Sequence, residues 1–241
     1  MFFRRIAVLV CGFVVSTSTP ALAQMAWTEK GFAALSTGVQ IGTSDVSNTQ
    51  SFDLYGETAT LSSAQDIKGG LFFDGQFGYR VWRNLAVGVG VTFLQGKSEA
   101  GVTASVPDPI FTDRNRTTSV TATDLTRREI WYAAQLTWVM PLTDKIDVFF
   151  TGGPAMVQVQ QELPTSGTVT EPGPSLSDVT VTNYNKNGLG FVVGADVRYM
   201  ITPRFGVGAL AKFSAATVEI VEGAKSDAGG FQIGGGVRIK F

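Results

Sequence analysis

The sequence contains no histidine and only one cysteine, Cys11, among its 241 residues. Histidine and cysteine supply most general bases, nucleophiles and nitrogen or sulfur metal ligands in proteins. Nucleophilic catalysis without them needs an unusual base. The sequence therefore predicts a protein that is not an enzyme, and we expect neither a cofactor nor a catalytic metal site.

Charged residues are also scarce. They make up 16% of the chain, whereas about a quarter is usual in soluble domains. The 19 basic and 20 acidic residues leave a formal net charge of -1. Proteins that bind nucleic acid carry a basic surface, so we expect no nucleic-acid partner.

Long hydrophobic runs are missing except near the N-terminus. There, two arginines precede an apolar run over residues 6–15, and the small-residue motif Ala21-Leu22-Ala23 follows it. This order is typical of a secretory signal peptide, which we predict over residues 1–23, with one domain over residues 24–241. No later segment has about 18 uninterrupted apolar residues, so the sequence predicts no transmembrane helix.

Apolar residues are plentiful but dispersed, and they alternate with small or polar residues. In the segment LAVGVGVTFLQ, Leu85, Val87, Val89 and Phe93 fall on one face of an extended strand, opposite glycine, alanine and threonine. Strict period two predicts a β-strand between two different environments. Eight segments show this pattern: GFAALSTGVQIG, GGLFFDGQFGYRV, LAVGVGVTFLQ, EIWYAAQLTWVM, IDVFFTGGPAMVQVQ, GLGFVVGADVRYMI, RFGVGALAKFSA and GGFQIGGGVRIKF. In the fifth, the phase slips near Gly152-Gly153-Pro154, which predicts a β-bulge there.

Short and long connections alternate between these strands. The short ones are turns at residues 82–84, 143–145 and 202–204. The long ones are polar and cover roughly residues 43–67, 96–126 and 162–186, with a shorter connection near residues 222–228. An antiparallel meander with all its long loops at one end predicts this regularity.

The bulky side chains face outward in the predicted sheet. A closed barrel of eight strands has little interior room, which small residues and a few charges can fill. The outer face then lies in hydrocarbon, where an open sheet edge is not tolerated. We predict an all-β fold, an eight-stranded antiparallel transmembrane β-barrel. The alternative has ten strands and recruits residues 52–61 and 117–125, which we interpret instead as hairpin extensions above the membrane.

The signal peptide, the eight alternating strands and the ending VRIKF resemble the small outer-membrane β-barrel family, which includes the OmpA transmembrane domain and OmpX. The resemblance implies a location in the bacterial outer membrane after export to the periplasm. In that family the last strand and its terminal phenylalanine are the signal that the barrel-assembly machinery reads. The resemblance assigns this role to four residues of the last strand: Ile233, Val237, Ile239 and Phe241.

Charged residues of both signs fall on the predicted inner face. A buried charge without a partner costs several kcal/mol, so we predict a network of ion pairs that fills the lumen. Its predicted members are Asp74, Arg80, Glu129, Asp147, Asp196, Arg198, Lys212 and Arg238.

Two functions remain open at the level of the sequence. The first is a structural or surface-interaction role through the long extracellular loops, including PDPIFTDRNR at residues 107–116. The second is a narrow, porin-like channel for ions or small solutes. The expected partners are outer-membrane lipid and lipopolysaccharide, the barrel-assembly machinery and a surface ligand that the sequence does not identify.

Overall fold

Period-two sequences of this kind form strands because hydrocarbon and lumen select opposite side chains on each strand. The computed structural model describes residues 26–54, 56–111, 114–170, 174–221 and 224–241. The predicted signal peptide lies outside this part of the chain. The strands within it are β1 (Gly31–Ile41), β2 (Thr43–Leu54), β3 (Glu57–Lys68), β4 (Leu71–Trp82), β5 (Leu85–Pro107), β6 (Asn115–Pro141), β7 (Ile146–Thr170), β8 (Ser175–Met200), β9 (Phe205–Val221) and β10 (Ala224–Lys240). No helix in these ranges is long and apolar enough to span a bilayer.

Eight of the strands form a closed antiparallel ring. Its order is β1, β4, β5, β6, β7, β8, β9 and β10, and β10 pairs again with β1. The closing pair runs from Phe32 opposite Lys240 to Ile41 opposite Phe231. The predicted closure of the last strand onto the first is confirmed, and no ring strand is left with an open edge within the barrel wall.

The two faces of the wall differ as the alternation predicts. Bulky apolar side chains cover the outside, and on β4 these are Leu71, Phe73, Phe77 and Tyr79. The residues between them on β4 point inward, and Asp74 and Gln76 are buried. Outside the ring, only lipid can cover an apolar band that surrounds the whole barrel.

The two ends of the barrel are built differently. One end, the short-turn end, carries the tight connections after β4, β6 and β8, together with the beginning of β1 and the end of β10. The other, the hairpin end, carries the extensions of the longer strands. The predicted alternation of short and long connections is confirmed.

The long connections, however, consist mainly of β-structure rather than irregular loops. β5 and β6 remain paired out to Pro107 opposite Asn115, and β7 and β8 out to Thr170 opposite Ser175. β2 and β3 form an additional hairpin, and β3 pairs with the outer part of β5. The total is therefore ten strands in the described residues, as in the alternative prediction, while the ring has eight. Segments 52–61 and 117–125 lie in the extensions, as we interpreted them.

A register shift occurs where β5 and β6 extend beyond the ring of eight strands. The register of β5 against β6 shifts between Ser98 and Ala100, and Asp124 opposite this point has a positive φ of 59°. An extra residue of this type bends a strand pair and increases its twist.

The predicted bulge at Gly152-Gly153-Pro154 is wrong. The register of β7 is unchanged across these residues against both β6 and β8. The sequence suggested a slip because Phe149, Val157 and Val159 are apolar, yet all three point inward and are buried. The inner face is thus less polar than the other strands indicated, and the phase of β7 is continuous.

Candidate functional site

The short-turn end of the lumen is occupied by an aromatic cluster. Trp27, from the segment before β1, packs against Phe149 with ring centroids 5.8 Å apart, and Phe32 lies 4.9 Å from Phe149. All three side chains are buried. The backbone of Trp27 is held on both sides, because its N–H donates to the Asn84 side chain at 3.2 Å and its carbonyl accepts from Arg80.

Arg198 lies directly beside this cluster. Its guanidinium carbon is 3.5 Å from the ring centroid of Phe149 and 4.5 Å from that of Phe32. Its Nε donates to Asp196 at 2.6 Å. A guanidinium over an aromatic face is stabilised by the ring quadrupole, most strongly when water is excluded. This contact joins the aromatic cluster to the charged part of the lumen.

Asp196 also binds a second arginine. Arg238 on β10 donates three hydrogen bonds of 2.8–3.0 Å to its carboxylate and one of 3.1 Å to the carbonyl of Leu35. Nearby, Lys240 forms ion pairs with Asp147 and, at 3.3 Å, with Glu29. All of these charged side chains are buried except that of Glu29, which is partly exposed, and they lie at the short-turn end.

A second group of polar side chains lies further along the lumen. Lys212 on β9 forms an ion pair with Asp74 on β4 and donates to the Thr92 hydroxyl at 2.6 Å. Thr92 and Gln76 both donate to Asp74, at 2.7 and 2.9 Å. Since β10 and β1 lie between β9 and β4 in the ring, this pair spans part of the interior.

The third group crosses the whole lumen. Arg127 on β6 pairs with Glu129 at 2.9 Å and also donates to the Ser226 hydroxyl and the Asp227 carbonyl on β10, both at 2.8 Å. β6 and β10 are diametrically opposite in the ring. Glu129, also on β6, accepts a hydrogen bond of 3.1 Å from the backbone N–H of Gly229 on β10.

Gly229 is needed for this crossing. Its φ is +94°, and a Cβ at this position would lie 2.2 Å from the carbonyl oxygen of Ser214. Side chains rarely adopt this backbone conformation. The glycine lets the strand turn one N–H into the lumen, where it meets the carboxylate.

The structure brings the predicted lumen residues together in three groups rather than one. Asp147, Asp196, Arg198 and Arg238 lie at the short-turn end, Asp74 and Lys212 lie further in, and Glu129 lies nearer the hairpin end. Arg80 differs from the others, because the contact described for it is with the carbonyl of Trp27 rather than with a carboxylate.

Several residues of this interior were missed by sequence reasoning. Arg127 is two residues before Glu129 and therefore on the same face, but it lies at the edge of a segment interpreted as a loop. Trp27 precedes the first alternating strand and carried no periodic signal. No group of three or more His, Cys, Asp or Glu residues that could hold a metal ion occurs in the described ranges.

Outside the ring, an apolar cluster holds the extensions together. Ala59, Leu61, Val102, Ala104 and Val106 are buried there. An exposed ion pair of 2.9 Å joins Lys97 and Asp124 at the base. The hydrogen bond from Lys97 to Asp124 raises the pKa of the lysine.

Near the tip of the β5–β6 hairpin, an aspartate side chain accepts hydrogen bonds from the backbone. The Asp108 carboxylate accepts from the backbone N–H groups of Ile110 and Phe111 at 2.9 and 3.2 Å, and the first of these bonds is the main cause of the lowered pKa of Asp108. The turn exposes 78% of Ile110 and 52% of Phe111. The guanidinium of Arg114 lies 4.8 Å from the Phe111 ring centroid.

The residues implied in assembly lie on the outer face of the last strand. Ile233, Val237 and Phe241 are exposed, and Ile239 is half-buried. The Phe241 ring stacks on Phe77 with centroids 5.8 Å apart. The Phe241 carbonyl accepts from the N–H groups of Lys30 and Gly31, both at 2.8 Å, which ties the end of the chain to the start of β1.

A closed antiparallel ring with an apolar outer band and a polar, paired interior defines a transmembrane β-barrel of the bacterial outer membrane. The chain belongs to the family described as outer membrane protein beta-barrel domain, whose model matches residues 9–241. A search of curated proteins gives no match.

Solved structures of outer-membrane proteins are similar in fold. Ail, the attachment invasion locus protein of Yersinia pestis, shares 12% identity over 87% of this chain and 99% of its own, with a TM-score of 0.35. Neisserial surface protein A shares 13% identity over 88% of this chain and 97% of its own, with a TM-score of 0.41. The outer membrane protease OmpT of Escherichia coli shares 11% identity over 94% of this chain and 100% of its own, with a TM-score of 0.44. Similarity at this level says nothing about the activity of the present chain.

Proposed function

We propose that this outer-membrane barrel has a closed lumen and acts at the cell surface, where it binds a partner through the tip of the β5–β6 hairpin. The observation that carries the proposal is the exposure of Ile110 and Phe111 on a turn fixed by Asp108. Aromatic side chains and arginine are enriched at protein–protein interfaces, and Phe111 lies beside Arg114. The hydrogen bonds to Asp108 restrict the backbone of Ile110 and Phe111 before binding, which lowers the entropy cost of binding.

The lumen contacts support a closed barrel. Arg127 and Glu129 on β6 both reach β10 on the opposite wall, and Trp27 with its neighbours occupies the short-turn end. An eight-stranded ring leaves room for side chains but not for a wide aqueous path. The alternative function, a narrow channel, would require these same side chains to move out of the path of the solute.

The test of surface binding uses cells that display the protein. Their adhesion to immobilised extracellular-matrix protein, to a sulfated glycan and to cells lacking the protein is compared with that of cells bearing Ile110→Ser and Phe111→Ser together. We expect adhesion to at least one surface, and its loss in the variant. The matched control is Val181→Ser, which removes an exposed apolar side chain from β8. Equal adhesion of the double variant and the unaltered protein would refute the role of the tip.

Three further features complete the proposal. The signal peptide over residues 1–23 directs export, and the short-turn end then faces the periplasm, as the loop lengths of outer-membrane barrels imply. The last strand, with Ile233, Val237, Ile239 and Phe241, is the signal for the barrel-assembly machinery. The protein acts by binding rather than by catalysis, because its buried carboxylates are engaged in ion pairs with lysine and arginine.

A further inference from the structure

We propose that the tip of the β5–β6 hairpin inserts into the phospholipid surface of another membrane, with Ile110 and Phe111 as the inserted side chains. The inference rests on the proposed function, because it names the class of partner that the same tip binds. Three properties of the tip identify this partner as a lipid bilayer: its distance from the barrel wall, its small size and its hydrogen bonds.

The hairpin carries the tip away from the wall of its own barrel. The pairing of β4 with β5 ends at Gln95, and β5 then continues with β6 to Pro107, which lies opposite Asn115. At about 3.3 Å per residue, this part of β5 is about 40 Å long. Ile110 and Phe111 are therefore not part of the apolar band that the lipid of the outer membrane covers.

The two long hairpins treat their apolar residues differently. Near the end of the β7–β8 hairpin, Val169 and Leu176 pack against the apolar cluster that holds the extensions together. In the β5–β6 hairpin, Ile110 and Phe111 are consecutive and exposed. Both apolar side chains therefore project into solvent from one point of the hairpin.

The tip is too small for a typical protein interface. A specific protein–protein interface takes about 20–30 residues from each partner, whereas residues 108–114 are the part of the hairpin beyond its last strand pair. A bilayer requires no complementary shape, because apolar side chains of any shape can enter the boundary between headgroups and acyl chains. A projecting pair of apolar residues therefore fits a lipid surface better than a protein surface.

The hydrogen bonds of the tip also fit a lipid environment. A backbone N–H group without a partner is costly in hydrocarbon. Asp108 accepts from the N–H groups of the two residues to be inserted, at 2.9 Å from Ile110 and 3.2 Å from Phe111. The same carboxylate lies 3.6 Å from Nε of Arg116, so its charge has a partner within the hairpin.

Arg114 supplies a contact for the lipid headgroups. The residue is exposed, and its guanidinium lies 4.8 Å from the ring centroid of Phe111. Arginine lays its stem along apolar surface and keeps its charged head in the polar region of a membrane, where phosphate oxygens accept its hydrogen bonds. Ile110 and Phe111 then enter the acyl region shallowly while Arg114 binds a phosphate.

One tip binds lipid weakly. Its two apolar side chains have fewer carbon atoms than a single myristoyl chain, which by itself gives marginal and reversible membrane binding. Many barrels on one cell must therefore act together to hold two membranes in contact.

Insertion is measured with the full mature barrel in phosphatidylcholine nanodiscs, to which vesicles of phosphatidylcholine with brominated acyl chains are added. Bromine quenches tryptophan fluorescence at short range, so quenching of Phe111→Trp reports contact of the tip with acyl chains. We expect severalfold stronger quenching of this variant than of the unaltered barrel. Adding Ile110→Ser to it should remove most of the difference. Phe111→Trp keeps an aromatic side chain, so cells that display it should still adhere.

The matched control is Val181→Trp, which puts a tryptophan in place of an exposed apolar side chain of β8. It should be quenched no more than the unaltered barrel. Trp82 and Trp138 are exposed on the outer wall, so quenching of the unaltered barrel reveals any transfer of brominated lipid into the nanodisc.

The outcomes separate this inference from the proposed function. Quenching of Phe111→Trp beyond that of both controls supports insertion into lipid. If Phe111→Trp is quenched no more than the controls, while cells bearing Ile110→Ser and Phe111→Ser lose adhesion, the assignment to lipid is overturned and the tip binds a protein or a glycan. Unchanged adhesion of the double variant overturns the proposed function itself.

Discussion

Arg238 on the last strand reaches across β9 to Asp196 on β8 and donates three hydrogen bonds of 2.8–3.0 Å to its carboxylate. Asp196 accepts from Arg198 as well, at 2.6 Å. One buried carboxylate therefore holds two buried guanidinium groups from different strands. Breaking a buried ion pair on one side leaves an uncompensated charge and is far more costly than losing a surface pair.

Replacement of Asp196 by asparagine removes this charge with almost no change in shape. Arg198 and Arg238 then share no carboxylate, and we expect the free energy of unfolding to fall by about 3–5 kcal/mol. Urea unfolding of the barrel in lipid vesicles measures the change. Asp124→Asn is the control, because its partner Lys97 is exposed, and it should unfold as the unaltered protein does. Equal stability of both variants would contradict an energetic role for the Asp196 pairs.

Gly208 makes room for the same interaction. A Cβ at this position would lie 2.7 Å from Nε of Arg238 and 2.8 Å from the carbonyl oxygen of Val197. We expect Gly208→Ala to displace Arg238 and to lower the free energy of unfolding by about 1–3 kcal/mol, as overpacking typically does. At Gly75, on the outer face, the corresponding contact is with Leu35 at 3.6 Å. Gly75→Ala should therefore leave the unfolding transition unchanged, and a comparable loss in both variants would argue against local crowding.

Asp108 should control adhesion without contacting the partner. Asp108→Ala removes the acceptor for the N–H groups of Ile110 and Phe111, so the tip loses its fixed shape and adhesion should fall. Asp108→Asn keeps a side-chain oxygen at this position and should retain adhesion. Limited proteolysis at the tip gives a second measurement, with faster cleavage expected in the alanine variant alone. If both variants adhered and were cleaved like the unaltered protein, the ordered turn would have no role in binding.

The assembly role of Phe241 can be separated from its packing role. We expect Phe241→Ala to reduce the amount of barrel in the outer membrane of cells severalfold, while spontaneous refolding in lipid is little affected. Phe205→Ala is the matched control, since Phe205 is also an exposed aromatic residue at the short-turn end. A parallel loss in cells and in refolding would indicate that Phe241 contributes stability rather than a signal.

Much of the barrel follows from the sequence because hydrocarbon and lumen impose opposite demands on alternate residues. The period-two pattern alone predicts the outward orientation of Leu71, Phe73, Phe77 and Tyr79, without knowledge of the neighbouring strands. The pairing of Asp196 with Arg238 does not, because it depends on the relative register of three strands. The orientation of Phe149 was obscured for a different reason, since an apolar residue inside the lumen looks like one that faces lipid.

Hairpin extensions were predicted at residues 52–61 and 117–125, but the full extent of their strand pairing was not, for another physical reason. Residues 43–54 and 175–188 have polar side chains on both faces, so period two carries no signal there, and strand pairing is decided by the hairpin as a whole. Arg128 lies in an outer-face groove that combines residues from several strands. Only the register, which sequence reading does not supply, shows that Gln95, Gln160 and Asn185 lie beside it.

The closed lumen is tested most directly by single-channel conductance of the refolded mature barrel in a planar bilayer free of residual detergent. A larger porin added afterwards to the same bilayer shows that channels can be detected. We predict that the folded barrel produces no discrete conductance steps, because Arg127 and Glu129 join opposite walls and Trp27 with its neighbours occupies the short-turn end. Reproducible steps whose size changes in Lys212→Gln would contradict this account and identify a narrow channel with the lumen charges along its path.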